Sequence, residues 1–184
     1  MKTFYLVTSN QGKIDQINQF LSNLTDNIKI EMMKLDFPEL KGETLEETAL
    51  NKAKTCYDMI RKDVIVSDTG LFIDALNGFP GVNTATTLST IGNEGLLKLL
   101  EGEKNRNAKS CVSYAIVTKE YQEIFSAESN IFITDSIGGS KGYGWDKIAT
   151  DKKGVRFSED ESNETRLFPY REALRKLVDF IENK

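Results

Sequence analysis

"KTFYLVTSNQGKIDQINQFL", residues 2–21, decides the fold class. Phe4, Tyr5, Leu6, Val7 and Thr8 make residues 2–8 a strand, since aromatic and β-branched side chains suit a pleated surface. "SNQG", residues 9–12, reads as a turn. Ile14, Ile17, Phe20, Leu21 and Leu24 then recur at helical spacing. The chain thus opens strand–turn–helix. A second strand is expected at 28–35, and "DFPELKGE", residues 36–43, reads as an acidic loop. Thr44 followed by Glu47 is a capping-box pattern. It starts a long helix over about 45–61, with Leu45, Ala49, Ala53, Cys56, Tyr57 and Ile60 on one face.

"VIVSD", residues 64–68, reads as a short buried strand that "TGLFIDAL" carries on as strand or turn. "NGFPGVNTA" reads as a loop, and Asn93 is placed to cap a helix through 94–101. Strands at 109–118 and 121–134 are expected to pair as a hairpin. The glycine-rich residues 138–144 form a loop. Residues 170–182 form a last helix, with Pro169 just ahead of it. Helices alternating with strands early, and a hairpin late, predict an α/β fold with a mixed sheet.

The 184 residues suit one domain or two closely joined lobes. A hydrophobic content of 39% and a charged content of 28% describe an ordinary globular chain. The net charge of −4 argues against a nucleic-acid polymer as partner. The opening "MKTFYLVTSN" has too short an apolar run for a signal-peptide core, and no stretch suits a membrane span. Two cysteines, Cys56 and Cys111, are too few for a disulfide framework. A reduced cytoplasmic setting is expected. The chain has no histidine, which excludes Ser-His-Asp triads, Cys-His pairs and His-ligated zinc. Chemistry falls to carboxylates, lysine, arginine, hydroxyls or an oxygen-ligated metal such as Mg²⁺.

Three stretches are placed to supply it. Thr8, Ser9, Asn10 and Lys13 sit where a strand turns into a helix, whose N-terminal amides favour anions; a capped turn with a solvated lysine is the plainer reading. Asp68 ends a buried strand, where α/β sheets bind ligands. Glu39, Glu43, Glu46 and Glu47 are nearby acids that equally suit a solvated loop and helix start. In "GYGWD", residues 142–146, aromatics beside glycines suit the stacking of a flat base, and Asp146 suits acceptance from ring N–H groups. For Trp145 taken alone, the core is the plainer reading. Arg166, Arg171, Arg175 and Lys176 read as a solvated helix face.

The order "TSNQGK", "FPELKGETLEETALNKAK", "SDTGLFIDALNGFPGV", "NEGLLKLLEG", "GYGWD" and a basic last helix resembles the inosine triphosphate pyrophosphatase family over almost the whole chain. The resemblance implies an elongated α/β fold, two lobes around a long mixed sheet flanked by helices, with the nucleotide in the cleft between the lobes. It implies a single pyrophosphatase domain over 1–184, usually a homodimer. The implied reaction is Mg²⁺-dependent hydrolysis of deaminated purine nucleoside triphosphates (ITP, dITP, XTP) to monophosphate and pyrophosphate. By matched position it implies Thr8, Ser9, Asn10, Lys13 and Lys52 on the phosphates, and Thr69 on the substrate. It implies Glu39 and Asp68 on the metal, with Asp68 also catalytic. Tyr143, Gly144, Trp145 and Asp146 fall on the base.

The chain departs from that family in reading the base. The usual Ser-His-Arg motif is replaced by "FPYREAL", where Arg171 matches the arginine with a register slip of one. A lysine just upstream is missing, with Arg166 as nearest substitute. "NTATT" after "PGV" lacks the usual cation, and the acid pair often found at "SD" is reduced to Ser67–Asp68. Phosphate and metal handling are kept and base reading is altered. The readings left open are purine-selective turnover, the same reaction on other bases, and nucleotide binding without turnover.

Overall fold

The computed structural model describes residues 1–184 apart from Glu39. Its strands are β1 (Lys2–Val7), β2 (Ile28–Met33), β3 (Val64–Ile73), β4 (Pro80–Gly81), β5 (Asn107–Val117), β6 (Gln122–Ile133) and β7 (Ala149–Thr150). Its helices are α1 (Gln11–Leu21), α2 (Leu45–Ile60), α3 (Thr84–Thr90), α4 (Gly92–Leu99) and α5 (Glu164–Glu182), with a 3₁₀ turn at Asp74–Leu76. The sheet runs β2–β1–β3–β5–β6–β7, with β4 paired to β3. β1 is parallel to β2 and β3, while β4 and β7 run antiparallel to their neighbours, so this is an α/β fold with a mixed sheet.

The chain divides into two compact units. The first holds residues 1–68, 112–127 and 170–184. Its strands alternate strictly between two apolar clusters. Phe4, Leu6, Ile65, Val112, Tyr114 and Ile116 pack with Ile14 and Ile17 of α1 and Leu174 and Leu177 of α5. Val7, Val64, Val66, Ala115 and Val117 pack on the other face with Ala49, Ala53 and Cys56 of α2. Successive side chains of a strand point to opposite faces, and both faces here are covered. That is why "VIV" of β3 is apolar without a break. Burying one leucine of this core is worth about 2–3 kcal/mol.

The second unit holds residues 69–111 and 128–169. Its core gathers Leu71 and Ile73 of β3, Leu96 and Leu100 around α4, Ile131 and Ile133 of β6, and Trp145, Ile148 and Phe157 from the connections.

Three expectations are corrected. The expected loop "NGFPGVNTA" holds β4 and the start of the helix α3, "TATTLST". Threonine has weak helix propensity, which tertiary packing of Thr84 and Thr87 overrides. Asn93 lies inside α4 and does not cap it. The last helix begins at Glu164, not 170, because Asn163 caps it: its Oδ1 accepts from the Thr165 N–H at 3.0 Å. Pro169 therefore stands within the helix. The division between units falls inside α5, between Pro169 and Tyr170.

Candidate active site

Within the first unit, α1 carries the chain from β1 to β2 on one side of β1, and α2 carries it from β2 to β3 on the other. α1 and α2 bury themselves in clusters on opposite faces. The carboxyl end of β1, beside the first half of β3, is thus a switch point of the sheet.

The residues expected to handle phosphate gather there. Asn10 caps α1, accepting from the Lys13 N–H at 3.3 Å, and the Thr8 hydroxyl accepts from the Asn10 N–H at 3.1 Å. Ser9 lies exposed between them. The first amides of a helix have no intrahelical acceptor, so this turn offers donors to an anion. The strand expected at 64–68 runs on to Ile73, so Ser67 and Asp68 lie inside β3, where strand alternation sorts their side chains. Ser67 follows Ile65 toward α1, where the Lys13 Nζ donates to its hydroxyl at 3.5 Å. Asp68 follows Val66 toward α2, where its Oδ2 meets the Lys52 Nζ at 3.1 Å. Two lysines from opposite faces close on adjoining residues of one strand. The Lys52 and Asp68 side chains are 12% and 19% exposed, sheltered yet reachable. Cys56, one turn along α2, is no nucleophile, because burial pushes its thiol up to about 11. Thr69 comes next on β3 and is half-buried.

The glutamates at the start of α2 have structural work. Thr44 accepts from the Glu47 N–H at 3.1 Å, and the Glu47 carboxylate accepts from the Glu43 N–H at 2.9 Å. The Thr44 half of the expected capping box forms, while the Glu47 carboxylate reaches back to Glu43, one residue before the cap. Gly42 is required beside it, since a Cβ there would overlap the Glu47 side chain. Glu39, the other expected metal ligand, lies outside the described residues. Among the described residues no group of three or more His, Cys, Asp or Glu gathers to cage a metal.

The residues expected at the base lie in the second unit. Tyr143 is 47% exposed and Gly144 is exposed beside it. Trp145 is 8% exposed, packed in the core. Asp146 is buried, and its Oδ2 accepts from the Tyr143 N–H at 3.0 Å and from the Arg166 Nε at 3.1 Å. Arg166 also donates to the Glu161 carbonyl at 3.2 Å, and its guanidinium lies over the Tyr143 ring, 5.5 Å from the centroid. The solvated helix face expected for Arg166 is therefore corrected. Starting α5 at Glu164 turns Arg166 inward. Asn93 holds the same loop, donating to the Gly144 carbonyl at 3.0 Å. Arg171, half-buried, belongs to the first unit.

The Ham1 family model matches residues 4–180. This chain belongs to the Ham1 family. It is 43% identical over 150 residues to a dITP/XTP pyrophosphatase of Methanopyrus kandleri, covering 80% of this chain and 78% of that protein. It is 35% identical over 180 residues to a dITP/XTP pyrophosphatase of Thermococcus kodakarensis, covering 96% and 95%. Among solved structures, the Ham1 protein of Staphylococcus aureus superposes with a TM-score of 0.81 at 25% identity, covering 99% of each chain. The Ham1 relatives are thus named as hydrolases of nucleoside triphosphates, and no described helix of this chain is long and apolar enough to cross a membrane.

Proposed function

We propose that this Ham1 chain is a nucleoside triphosphate pyrophosphatase. It takes 6-oxo purine nucleotides such as ITP, dITP and XTP and cleaves between the α- and β-phosphates. The observation that carries the reading is the convergence of Lys13 and Lys52 on Ser67 and Asp68 at the switch point. The names of the relatives support it.

The chemistry follows from the charges. A triphosphate arriving at the β1–α1 turn meets the helix amides, Thr8, Ser9, Asn10 and Lys13. Its oxygens compete with Asp68 for the Lys52 ammonium. Drawing Lys52 onto phosphate releases the Asp68 carboxylate to orient a water and take its proton. The donors fit Mg²⁺, which takes oxygen ligands and commonly uses one or two carboxylates with phosphate and water. Asp68, with Glu39, would hold it. When bound, the ion lowers the pKa of water and neutralises charge on the leaving pyrophosphate. Thr69 and Arg171 are assigned to substrate, and Tyr143, Gly144 and Trp145 to the base.

A second reading, the same reaction on a broader set of bases, has one observation behind it. Tyr170, within the stretch that replaces Ser-His-Arg, is 8% exposed and packed in the core, and no histidine exists to read the base. A site that loses such donors loses discrimination. We assign residues 1–184 to one catalytic domain, cytoplasmic and paired as a homodimer, which light scattering would check.

Pyrophosphate release with Mg²⁺ across ITP, XTP, dITP, GTP, ATP, CTP and UTP, with Asp68→Asn as control, tests the reading. Preference for ITP and XTP that the variant loses supports the first form. Even turnover supports the second. No release from any nucleotide by the folded protein sinks both.

A further inference from the structure

The second unit carries a basic segment that the proposed reaction does not use. Residues 138–158 hold five basic side chains, Lys141, Lys147, Lys152, Lys153 and Arg156, against two acidic ones, in a chain of net charge −4. Both acids are buried and engaged, Asp146 with Arg166 and Asp151 with Asn163. Arg156 differs from the lysines in its place. It pairs with Thr150 of β7 across a turn that Asp151 ties, accepting from the Lys153 and Val155 amides at 2.8 and 3.0 Å. Its guanidinium lies on the backbone of Gly138, where a Cβ would overlap Nη1. The Ser158 hydroxyl donates to the Gly138 carbonyl at 2.7 Å, and the Gly138 amide donates to the Lys147 carbonyl at 3.0 Å. The arginine and the loop beneath it are thus held in register.

A guanidinium drawn out of water ordinarily has a carboxylate or a carbonyl against it. Arg156 is half-buried, and among the described residues its guanidinium has neither. The next two amides of the loop, those of Gly139 and Ser140, also donate to no acceptor among the described residues. Gly139 stands in the left-handed region at φ 72°. Successive amides around such a residue form a concave nest that favours anions. We propose that Arg156, with the Gly139 and Ser140 amides, binds a phosphate-type oxyanion. The planar fork matches two oxygens of one phosphate, and the nest takes a third. A carboxylate has only two oxygens and a single charge to offer. The surrounding lysines raise the local concentration of anions. Free pyrophosphate and the phosphoryl end of a nucleotide share this chemistry. The site lies within the second unit and does not rest on the pyrophosphatase reading.

The test titrates the isotope-labelled protein with pyrophosphate and, separately, with IMP, without Mg²⁺ and at fixed ionic strength, following the Gly139 and Ser140 amides by NMR. A saturable shift of both amides is expected, and the tighter of the two ligands names the source. Arg156→Gln is expected to weaken that binding roughly tenfold or more, the worth of a hydrogen bond to a charged group. Gly138→Ala alters no charge but pushes the guanidinium aside, and it should also weaken binding. It separates geometry from net charge, and it serves alone should Arg156→Gln fail to fold. Lys13→Met, which disables the proposed active site, should leave the two shifts in place. Amides that fail to move, or that move without saturating, overturn the proposal. An affinity unchanged in the folded variants, or shifts lost in Lys13→Met, overturns it as well. None of these outcomes decides whether the unaltered protein releases pyrophosphate, so the two readings fail separately.

Discussion

Two ion pairs in this molecule have similar lengths and opposite surroundings. Lys52 and Asp68 meet at 3.1 Å with side chains 12% and 19% exposed. Arg166 and Asp146 meet through two contacts, with a carbonyl, an amide and an aromatic ring closing the remaining sides. A pair that solvent reaches is screened and can trade partners with an arriving anion. A pair that is nine-tenths buried and held by further hydrogen bonds gives up its partner less readily. Ion-pair distance alone does not separate chemistry from architecture, but the state of the neighbouring hydrogen bonds does.

Substitutions can break that comparison. Asp68→Asn should cut pyrophosphate release by about 10²–10⁴-fold, the usual worth of a positioned general base, with thermal unfolding nearly unmoved. A large fall in melting temperature would instead make the open pair architectural. Asp146→Ala should do the reverse. It leaves Arg166 buried without its counter-charge, at about 3–5 kcal/mol, and lowers the melting temperature by roughly 6–20 °C. Calorimetry showing no shift would mean that the closed pair carries little stability. Lys52→Met removes one charge-assisted contact to phosphate, and kcat/KM should fall roughly 10–100-fold in steady-state assays.

The smallest effect concerns acid. Burial opposes ionisation of Asp151, but hydrogen bonds from Asn163 and from the Val155 and Lys153 amides outweigh it and hold the carboxyl below its ordinary range. A carboxyl lowered in this way stabilises the fold above its unfolded pKa, and that contribution is lost as pH falls through the folded value. Loss should therefore begin only below about pH 4. Asp151→Asn should flatten the acid limb of a stability-against-pH curve, and an identical limb in the variant would count against it.

The sequence made the first half of the fold legible because its signals are local. The strand–turn–helix opening, the Thr44 cap and the apolar face of α2 stand where expected. Lys13 was legible at a strand-to-helix turn and Asp68 at the close of an apolar run, while Lys52 was reached through the family resemblance alone. The second half was harder. "TATTLST" is a helix by packing against its own propensities. Asn93 has the chemistry of a cap but spends its amide on Gly144. Arg166 was misplaced because Pro169 reads as a helix start, and the competing signal, Asn163, lies six positions upstream. Whether a buried arginine has a carboxylate waiting for it is a tertiary fact that helix periodicity does not carry.

Pro169 has one more consequence. It has no N–H, so the ladder of α5 lacks the rung that would reach back to Thr165. Glu164–Phe168 then hangs on its Asn163 cap and on Arg166, while Tyr170–Glu182 is anchored by Ala173, Leu174, Leu177, Val178 and Ile181. In deuterium exchange the helix should act as two protected segments with different opening free energies, and the shorter should exchange first.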